Sequence, residues 1–258
     1  MTSAHQRIVV ADTPALGTLY TLDGAAMASD REEFVIHESL VHMAALAHPA
    51  PTRALVLGGG DGASARELLK HPGIEQIVVA ELDLAVVDAV RRFIPALPRG
   101  AFDDPRVELR IGDAALSLNA AYRAGERFDL ILFDLTEPDD PACAHLHGDD
   151  FLKLCAASLA PHGIIQVQLG SPAFQAGKVR TLHGRLAGLF AGLRLALLHA
   201  PLYGGPWLVA SIGGGDDPAE ACLSARLAER KIHDLRYYNP AVHAASRALP
   251  TYIHDLLA

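Results

Sequence analysis

Four carboxylates stand where apolar or alternating runs of the chain end, at Asp61, Glu81, Asp113 and Asp134. Carboxylates bind cationic groups, accept hydrogen bonds from hydroxyls and can take a proton from an amine. Each of the four by itself could equally cap a helix or a turn. If the apolar runs are parallel strands, their carboxyl ends share one edge of the sheet, which is where ligands of such folds bind. The set therefore predicts a site for a cationic ligand.

Asp61 lies inside a glycine-rich turn, residues 58–62, that follows an apolar run without alternation. Glycines let the backbone turn sharply and come close to a ligand at the next helix N-terminus. A turn that cradles phosphate would not carry a negative charge there. Glu81 follows the turn at roughly the 20-residue spacing at which an acidic side chain binds both ribose hydroxyls. Together the two residues favour a nucleoside with a cationic tail over a dinucleotide or intact S-adenosylmethionine.

Apolar runs and helical stretches alternate regularly from residue 53 onwards. Strands are predicted at 54–58, 77–81, 107–111, 128–133, 164–168, 194–199 and 207–212. Helical stretches are predicted at 63–70, 84–94, 114–122, 149–159 and 175–190. Repeated βα units of this kind predict an α/β fold with a doubly wound, mostly parallel, Rossmann-like sheet.

The first 50 residues differ in character from the rest. Short strand-like segments lie between residues 8 and 28, and Asp23-Gly24 between two of them is a hairpin signal. A helical stretch at 38–47 and two prolines then lead into the first core strand. We therefore expect a small N-terminal β appendage with a linking helix over residues 1–50, and a Rossmann-like catalytic domain with a C-terminal tail over residues 51–258.

Composition narrows the class of protein. The 258 residues carry 22 Lys and Arg against 30 Asp and Glu, a formal net charge of −8, which argues against a nucleic-acid partner and suits cationic ligands. No apolar run reaches membrane-spanning length and the N-terminus lacks a signal-peptide core, so no membrane partner is expected. The three cysteines show no metal-ligand spacing and cannot all pair, which favours a reducing cytoplasm. The histidines show no convincing metal-ligand spacing, with His145 and His147 expected at the surface, so no metal site is predicted.

Several longer motifs are distributed along the chain. They include Asp30-Arg31-Glu32-Glu33-Phe34, His37-Glu38, the segment from Val56 to Gly62, Glu81-Leu82-Asp83, Gly112-Asp113, Pro206-Trp207 and the segment from Tyr237 to His243. With these motifs the sequence, from about Gln6 to the C-terminus, resembles the polyamine aminopropyltransferase family, the spermidine synthases. The resemblance implies the fold of the S-adenosylmethionine-dependent methyltransferases.

The resemblance implies a reaction. The family moves the aminopropyl group of decarboxylated S-adenosylmethionine to an amine, typically putrescine, which gives spermidine or a related polyamine and 5′-methylthioadenosine. The nucleoside is a co-substrate, so no cofactor is expected, and a homodimer is implied. The implied proton acceptor is Asp134. The implied donor-binding residues are Met27, Gly58, Asp61, Glu81, Asp113, Ala114 and Pro141, and the implied amine-binding residues are His37, Asp61, Asp134, Glu137 and Tyr203.

The sequence departs from the family pattern near the expected acceptor. Met27 replaces the usual Gln, Ile36 replaces a frequent Tyr, and Glu137 replaces an Asp. The chain also starts late, which implies a shortened N-terminal β domain. The identity of the amine therefore stays open. Two alternatives also remain, namely a methyltransferase of the same fold that uses intact S-adenosylmethionine, and a non-catalytic polyamine or nucleoside binder.

Overall fold

The computed structural model describes residues 1–135 and 143–258, and the structural statements below concern those residues. A small antiparallel sheet opens the chain, with β1 (Ile8–Thr13), β2 (Gly17–Leu22) and β3 (Ala25–Ser29) in that order. Asp23 and Gly24 join β2 to β3, with φ angles of 50° and 90°. Both residues have a left-handed backbone conformation, which a two-residue hairpin turn needs in order to follow the twist of the strands. The predicted hairpin is confirmed.

A seven-stranded sheet forms the body of the protein. Its strands are β4 (Arg53–Gly58), β5 (Gln76–Glu81), β6 (Val107–Ile111), β7 (Phe128–Asp134), β8 (Leu159–Gly170), β9 (Arg194–Ala200) and β10 (Gly205–Gly213). The order in the sheet is β6-β5-β4-β7-β8-β10-β9. The pairs from β6 to β8 are parallel, and β10 is antiparallel to both of its neighbours. The mostly parallel, doubly wound sheet is thus confirmed.

Helices cover both faces of this sheet. They are α1 (Phe34–Ala47), α2 (Ala63–Leu69), α3 (Leu84–Phe93), α4 (Ala114–Arg123), α5 (Asp149–Ala157), α6 (Ala176–Leu189), α7 (Glu220–Glu229), α8 (Pro240–Ser246) and α9 (Thr251–Leu257). Successive residues of a strand point to opposite faces, so Leu55 and Leu57 of β4 join one apolar cluster while Ala54 and Val56 join another. Covered strands therefore have no polar alternation. None of the helices in the described part of the chain has the length and apolar character to span a membrane.

Helix α1 is buried along almost its whole length, between the sheet and helices α2 and α7. It consequently carries polar side chains into the interior, among them His37, Glu38 and His42. Buried polar groups must find hydrogen-bond partners, because losing water without replacement costs about 1–3 kcal/mol for each group. The partners of His37 form part of the site described below.

The small sheet packs against α3 of the larger body. Ile8, Tyr20 and Leu22 share an apolar cluster with Val86 and Val90 of that helix. This packing places the small sheet beside the carboxyl ends of the central strands. The division of the chain at residue 50 stays a prediction.

Candidate active site

The cleft lies where the order of the sheet reverses, between β4 and β7. The chain runs from β4 outwards to β5 and β6, and then returns to β7 on the other side of β4. Gly58 pairs with Asp134 at this point, and the Gly59 N–H donates to the Asp134 carbonyl at 3.0 Å. A side chain at Gly58, whose φ is 76°, would collide with that carbonyl oxygen. Glycine is needed here because the loops after the two strands approach each other so closely.

The cleft holds about 870 Å³ of space, part of it open to solvent. Nine of the predicted site residues line it, namely Met27, His37, Gly58, Asp61, Glu81, Asp113, Ala114, Asp134 and Tyr203. Glu137 and Pro141 lie outside the described residues. The described residues that line the cleft include no Lys or Arg, so this part of the cleft is not suited to a polyphosphate.

Glu81 closes one end of the cleft. Its carboxylate accepts hydrogen bonds from the backbone N–H groups of Gly60, at 3.0 Å, and Asp83, at 2.9 Å. Burial raises the pKa of Glu81 to about 7 in spite of these two donors. A side chain at Gly60 would overlap this carboxylate. The glycine turn and the end of β5 thus hold Glu81 with oxygens available to hydroxyl donors.

Asp113 serves two purposes at the same end. One oxygen caps α4 by accepting from the N–H groups of Ala115, at 2.6 Å, and Leu116, at 3.2 Å. The other lies 3.0 Å from His145 Nε2. His145 remains exposed but lines the cleft. The prediction of a surface position is wrong for His147, which is buried because its ring packs against Phe133.

The other end of the cleft is built around Asp61 and Asp134. Asp61 Oδ2 lies 3.5 Å from His37 Nε2, and Asp134 Oδ2 lies 3.9 Å from the same nitrogen. Tyr20 donates to Asp61 Oδ2 at 3.2 Å, and Ser64 donates to Asp134 Oδ2 at 2.7 Å. Each carboxylate is therefore held by a hydroxyl from an element distant in sequence.

The charges at this end shift one another's protonation. Burial would raise the pKa of Asp61, but His37 and the Ala63 N–H hold it below its usual value. Burial raises the pKa of Asp134 to about 6, and the charge of Asp61 adds to this effect. Burial would lower the pKa of His37, yet the carboxylates around it raise that pKa well above its usual value. Two nearby acids with separated pKa values suit one to bind a cation and the other to take up a proton.

A metal ion is a second kind of cation that this end could hold. The ligand atoms of His37, Asp61 and Asp134 lie within 4.8 Å of one another. His37 would have to lose a proton first, because only neutral imidazole can ligate a metal. An alkylammonium needs only the carboxylates, which fits the protonated His37 better.

A smaller compartment adjoins the cleft and shares Met27, Leu135, Gln168 and Tyr203 with it. The rings of Tyr203 and Trp207 lie 4.4 Å apart, and Trp207 Nε1 donates to Gln168 Oε1 at 3.0 Å. Tyr203 also donates to the Met27 carbonyl. The compartment is therefore mainly apolar and aromatic, with its one amide held in a fixed orientation.

Several side chains of the site have no sequence signal. Tyr20 lies on a strand of the small sheet and Ser64 within α2, and ordinary packing accounts for both residue types. Glu33 precedes α1 and reaches His37 by one helical turn, a spacing that can be recognised only once the helix is known. Ile36 points instead into the apolar cluster around Met43 and Leu198 and does not line the cleft.

Fold and cleft together define a class, a Rossmann-like α/β protein with an acidic cleft suited to a nucleoside that carries a cationic tail. A family model described as the spermine/spermidine synthase domain matches residues 33–221. The chain belongs to that family, which confirms the resemblance predicted from its motifs.

Individual relatives agree with the family model. A polyamine aminopropyltransferase of Nitrosomonas europaea is 37% identical over an alignment of 260 positions, which covers 99% of this chain and 78% of the relative. One from Serratia proteamaculans is 36% identical over 98% of this chain and 88% of the relative. A crystal structure of Thermotoga maritima spermidine synthase, and one of a spermidine synthase with the transition-state analogue AdoDATO, each give a TM-score of 0.89 at 32% identity. Both cover 100% of this chain and 86% of the solved chain.

Proposed function

We propose that this protein transfers the aminopropyl group of decarboxylated S-adenosylmethionine to a small di- or polyamine and releases 5′-methylthioadenosine. The observation that carries the proposal is the pair Asp61 and Asp134 at one end of a cleft whose other end holds Glu81. The donor has two positive charges and no carboxylate, and its acceptor is a cation as well. The named relatives are polyamine aminopropyltransferases, which supports the same reaction.

The donor occupies the length of the cleft. Glu81 accepts from the ribose hydroxyls, Asp113 with Ala114 contacts the adenine, and Met27 and Gly58 line the nucleoside pocket, to which the resemblance also assigns Pro141. Asp61 binds the ammonium of the aminopropyl chain. The decarboxylated nucleoside is a co-substrate, and the reaction uses no further cofactor. The carboxylate of intact S-adenosylmethionine would face Asp61, which disfavours methyl transfer.

Asp134 accepts the proton of the attacking amine. An ammonium has no lone pair, so one N–H proton must pass to Asp134 before nitrogen can attack the carbon bonded to sulfur. The new C–N bond forms as the C–S bond breaks, and the electron pair of the C–S bond stays with sulfur and neutralises the sulfonium. Sulfur leaves without acid assistance because it was already positive. The carboxylates hold both cations in line, which supplies much of the rate by orientation and charge.

The acceptor is putrescine-like. His37, Asp61 and Asp134 surround its reacting nitrogen, while Tyr203 contacts the rest of the molecule, a role that the resemblance also assigns to Glu137. The apolar compartment with Tyr203 and Trp207 suits a chain of methylene groups. Its aromatic rings can also hold a distal ammonium.

Mass spectrometry of methylthioadenosine tests the reaction. The decarboxylated donor is incubated with putrescine, agmatine, cadaverine and spermidine in separate reactions. The Asp134→Asn variant should lose at least about 100-fold in kcat, since it keeps the shape and loses the base. Asp129→Asn is the control, because Asp129 holds three groups at the opposite edge of the sheet.

Three results would contradict this function. They are the absence of product with every amine, methyl transfer from intact S-adenosylmethionine, and binding without turnover. The proposal also includes a homodimer, as the resemblance implies, and a cytoplasmic setting. Light scattering of the purified protein checks the dimer.

A further inference from the structure

The proton on one nitrogen of the His37 ring is fixed by its neighbours. His37 Nδ1 lies 2.9 Å from the Glu33 carbonyl oxygen and 2.9 Å from Glu33 Oε2. A carbonyl can only accept, and so can an ionised carboxylate. Burial would raise the pKa of Glu33, but His37 and Arg66, whose Nη2 lies 2.9 Å from Oε2, hold that pKa below its usual value. Nδ1 therefore carries a proton permanently, and only Nε2 can gain or lose one.

Nε2 faces the reacting end of the cleft. Its two neighbours there are Asp61 Oδ2 at 3.5 Å and Asp134 Oδ2 at 3.9 Å. The ionisable groups that surround the ring come from five elements, namely Glu32 and Glu33 at the start of α1, Asp61 before α2, Arg66 on α2, Asp134 at the end of β7, and Tyr20 on β2 through Asp61. Negative groups outnumber positive ones, so the cavity favours a proton on Nε2 when no ligand is present.

The reaction, as proposed above, brings two cations to this place. An ammonium on Asp61 and another on Asp134 supply the positive charge that the Nε2 proton supplies in the empty cleft. A positive charge within a few ångströms lowers the pKa of a protonated imidazole, typically by 1–3 units. Binding of both substrates therefore lowers the pKa of His37 and favours its neutral form, in which Nε2 is an acceptor directed at Asp134.

We propose that Glu33 is a positioning residue that holds His37 as the second acceptor of the reaction's proton, behind Asp134. The inference rests on the proposed aminopropyl transfer. The proton moves from the attacking nitrogen to Asp134 Oδ2 and then to His37 Nε2, while the Nδ1 proton remains hydrogen-bonded to Glu33. Only N–H and O–H bonds change in this relay, and Asp134 is ionised again at its end.

The relay ends at His37. Beyond Glu33 the buried chain continues through Arg66 to Glu67 and then to His42. A guanidinium stays protonated at every working pH, so Arg66 cannot pass the proton on. The proton therefore stays on Nε2 when the products leave, and it returns to water through the cleft when the next substrates bind. Arg66 instead fixes the Glu33 carboxylate, which is what makes Nε2 a strong acceptor.

Glu33→Gln is the decisive variant and Glu67→Gln is its matched control. Both changes remove one buried carboxylate that is bonded to Arg66 and to a histidine, but the histidine of Glu67 is His42, which does not line the cleft. Glu33→Gln should leave the donor KM within about threefold and lower kcat by roughly 10–100-fold. The acidic limb of the pH profile of kcat should move down by about one pH unit, because the charge of Glu33 no longer raises the pKa values of His37 and Asp134. Glu67→Gln should leave the limb in place.

A His37→Gln background separates the two routes by which Glu33 could act. Glu33 also raises the pKa of Asp134 directly, through space. If Glu33 acts through His37, the shift of the limb caused by Glu33→Gln should shrink by at least about half in that background. An equal shift in both backgrounds, or equal limbs in the Glu33→Gln and Glu67→Gln proteins, overturns the proposal.

Three further outcomes are also decisive. If Glu33→Gln does not fold, His37→Gln alone decides, and a limb unchanged from the wild type overturns the role of the ring. A wild-type protein without any methylthioadenosine release overturns both the proposed function and this relay. A wild-type protein that releases methylthioadenosine, together with a Glu33→Gln variant whose acidic limb has not moved, overturns the relay alone.

Discussion

Removing the charge of Asp61 tests why the cleft selects a decarboxylated donor. Asp61→Asn keeps the size of the side chain and an oxygen for the Ala63 N–H, which Asp61 Oδ1 binds at 2.9 Å. It removes a buried negative charge that already attracts His37 at 3.5 Å. The amide also retains a partner for the Tyr20 hydroxyl. The change therefore alters charge far more than shape.

The size of the effect follows from the distances and the burial. Two unit charges about 4 Å apart interact by about 4 kcal/mol at an effective dielectric constant of 20. Desolvation of the incoming ammonium, and competition from the protonated His37, offset about half of that. We expect a net loss of about 2 kcal/mol for the decarboxylated donor, which is roughly a 30-fold weaker Kd. Intact S-adenosylmethionine loses the same attraction but also a repulsion of its carboxylate, so its Kd should change by less than about threefold.

Calorimetry with both donors measures this difference. The preference for the decarboxylated donor should fall roughly 30-fold in Asp61→Asn and stay unchanged in Asp129→Asn, a carboxylate of similar hydrogen bonding at the far edge of the sheet. Equal weakening of both donors would refute the reasoning, because Asp61 would then bind the ammonium without sensing the carboxylate. An unchanged affinity for both would mean that the donor tail lies elsewhere.

Two further predictions concern Glu81 and Glu38. The pKa of Glu81 is raised to about 7, so its carboxylate is ionised above that pH. The Kd of uncharged methylthioadenosine should therefore weaken by up to roughly tenfold from pH 8 to pH 6. Glu81→Gln should remove this dependence, and a wild-type Kd that does not change with pH would contradict the assigned ribose contact. Glu38 is buried and accepts three backbone N–H groups of residues 236–238, each at 2.8 Å. Glu38→Ala should cost about 3 kcal/mol or more in free energy of unfolding and lower Tm by roughly 6–12 °C, whereas the exposed Glu75→Ala should change Tm little, and equal Tm values for the two variants would rule out this anchoring of the C-terminal segment.

Local patterns were sufficient to predict the framework of the site. Apolar runs predicted the central strands, such as those at 54–58 and 77–81, because a strand covered on both faces has no polar positions. The Asp23-Gly24 turn was predictable because few dipeptides adopt two left-handed residues in succession. Asp61, Glu81, Asp113 and Asp134 could be placed at one edge because parallel strands all end on the same side. That argument needs only the order of elements and no knowledge of side-chain contacts.

Contacts between distant residues could not be predicted in this way. Tyr20 reaches Asp61 across 41 residues, and Ser64 reaches Asp134 across 70. Ile36 was expected beside the reacting amine, yet the orientation of α1 turns it into an apolar cluster. His147 was expected at the surface, but the segment around it folds against Phe133. Each outcome depends on how elements pack, and residue type alone does not determine that packing.

The sequence by itself determined the family, the sheet and the row of carboxylates, because these follow from periodicity, turn chemistry and motifs along the chain. Only the tertiary structure decided how those carboxylates differ in chemistry. Burial raises the pKa of Asp134 to about 6, while His37 lowers that of Asp61. The same packing turns the His37 ring so that Glu33 fixes one nitrogen and the cleft receives the other. Protonation depends on distance and solvent exclusion in three dimensions, and neither quantity is written in the order of the residues.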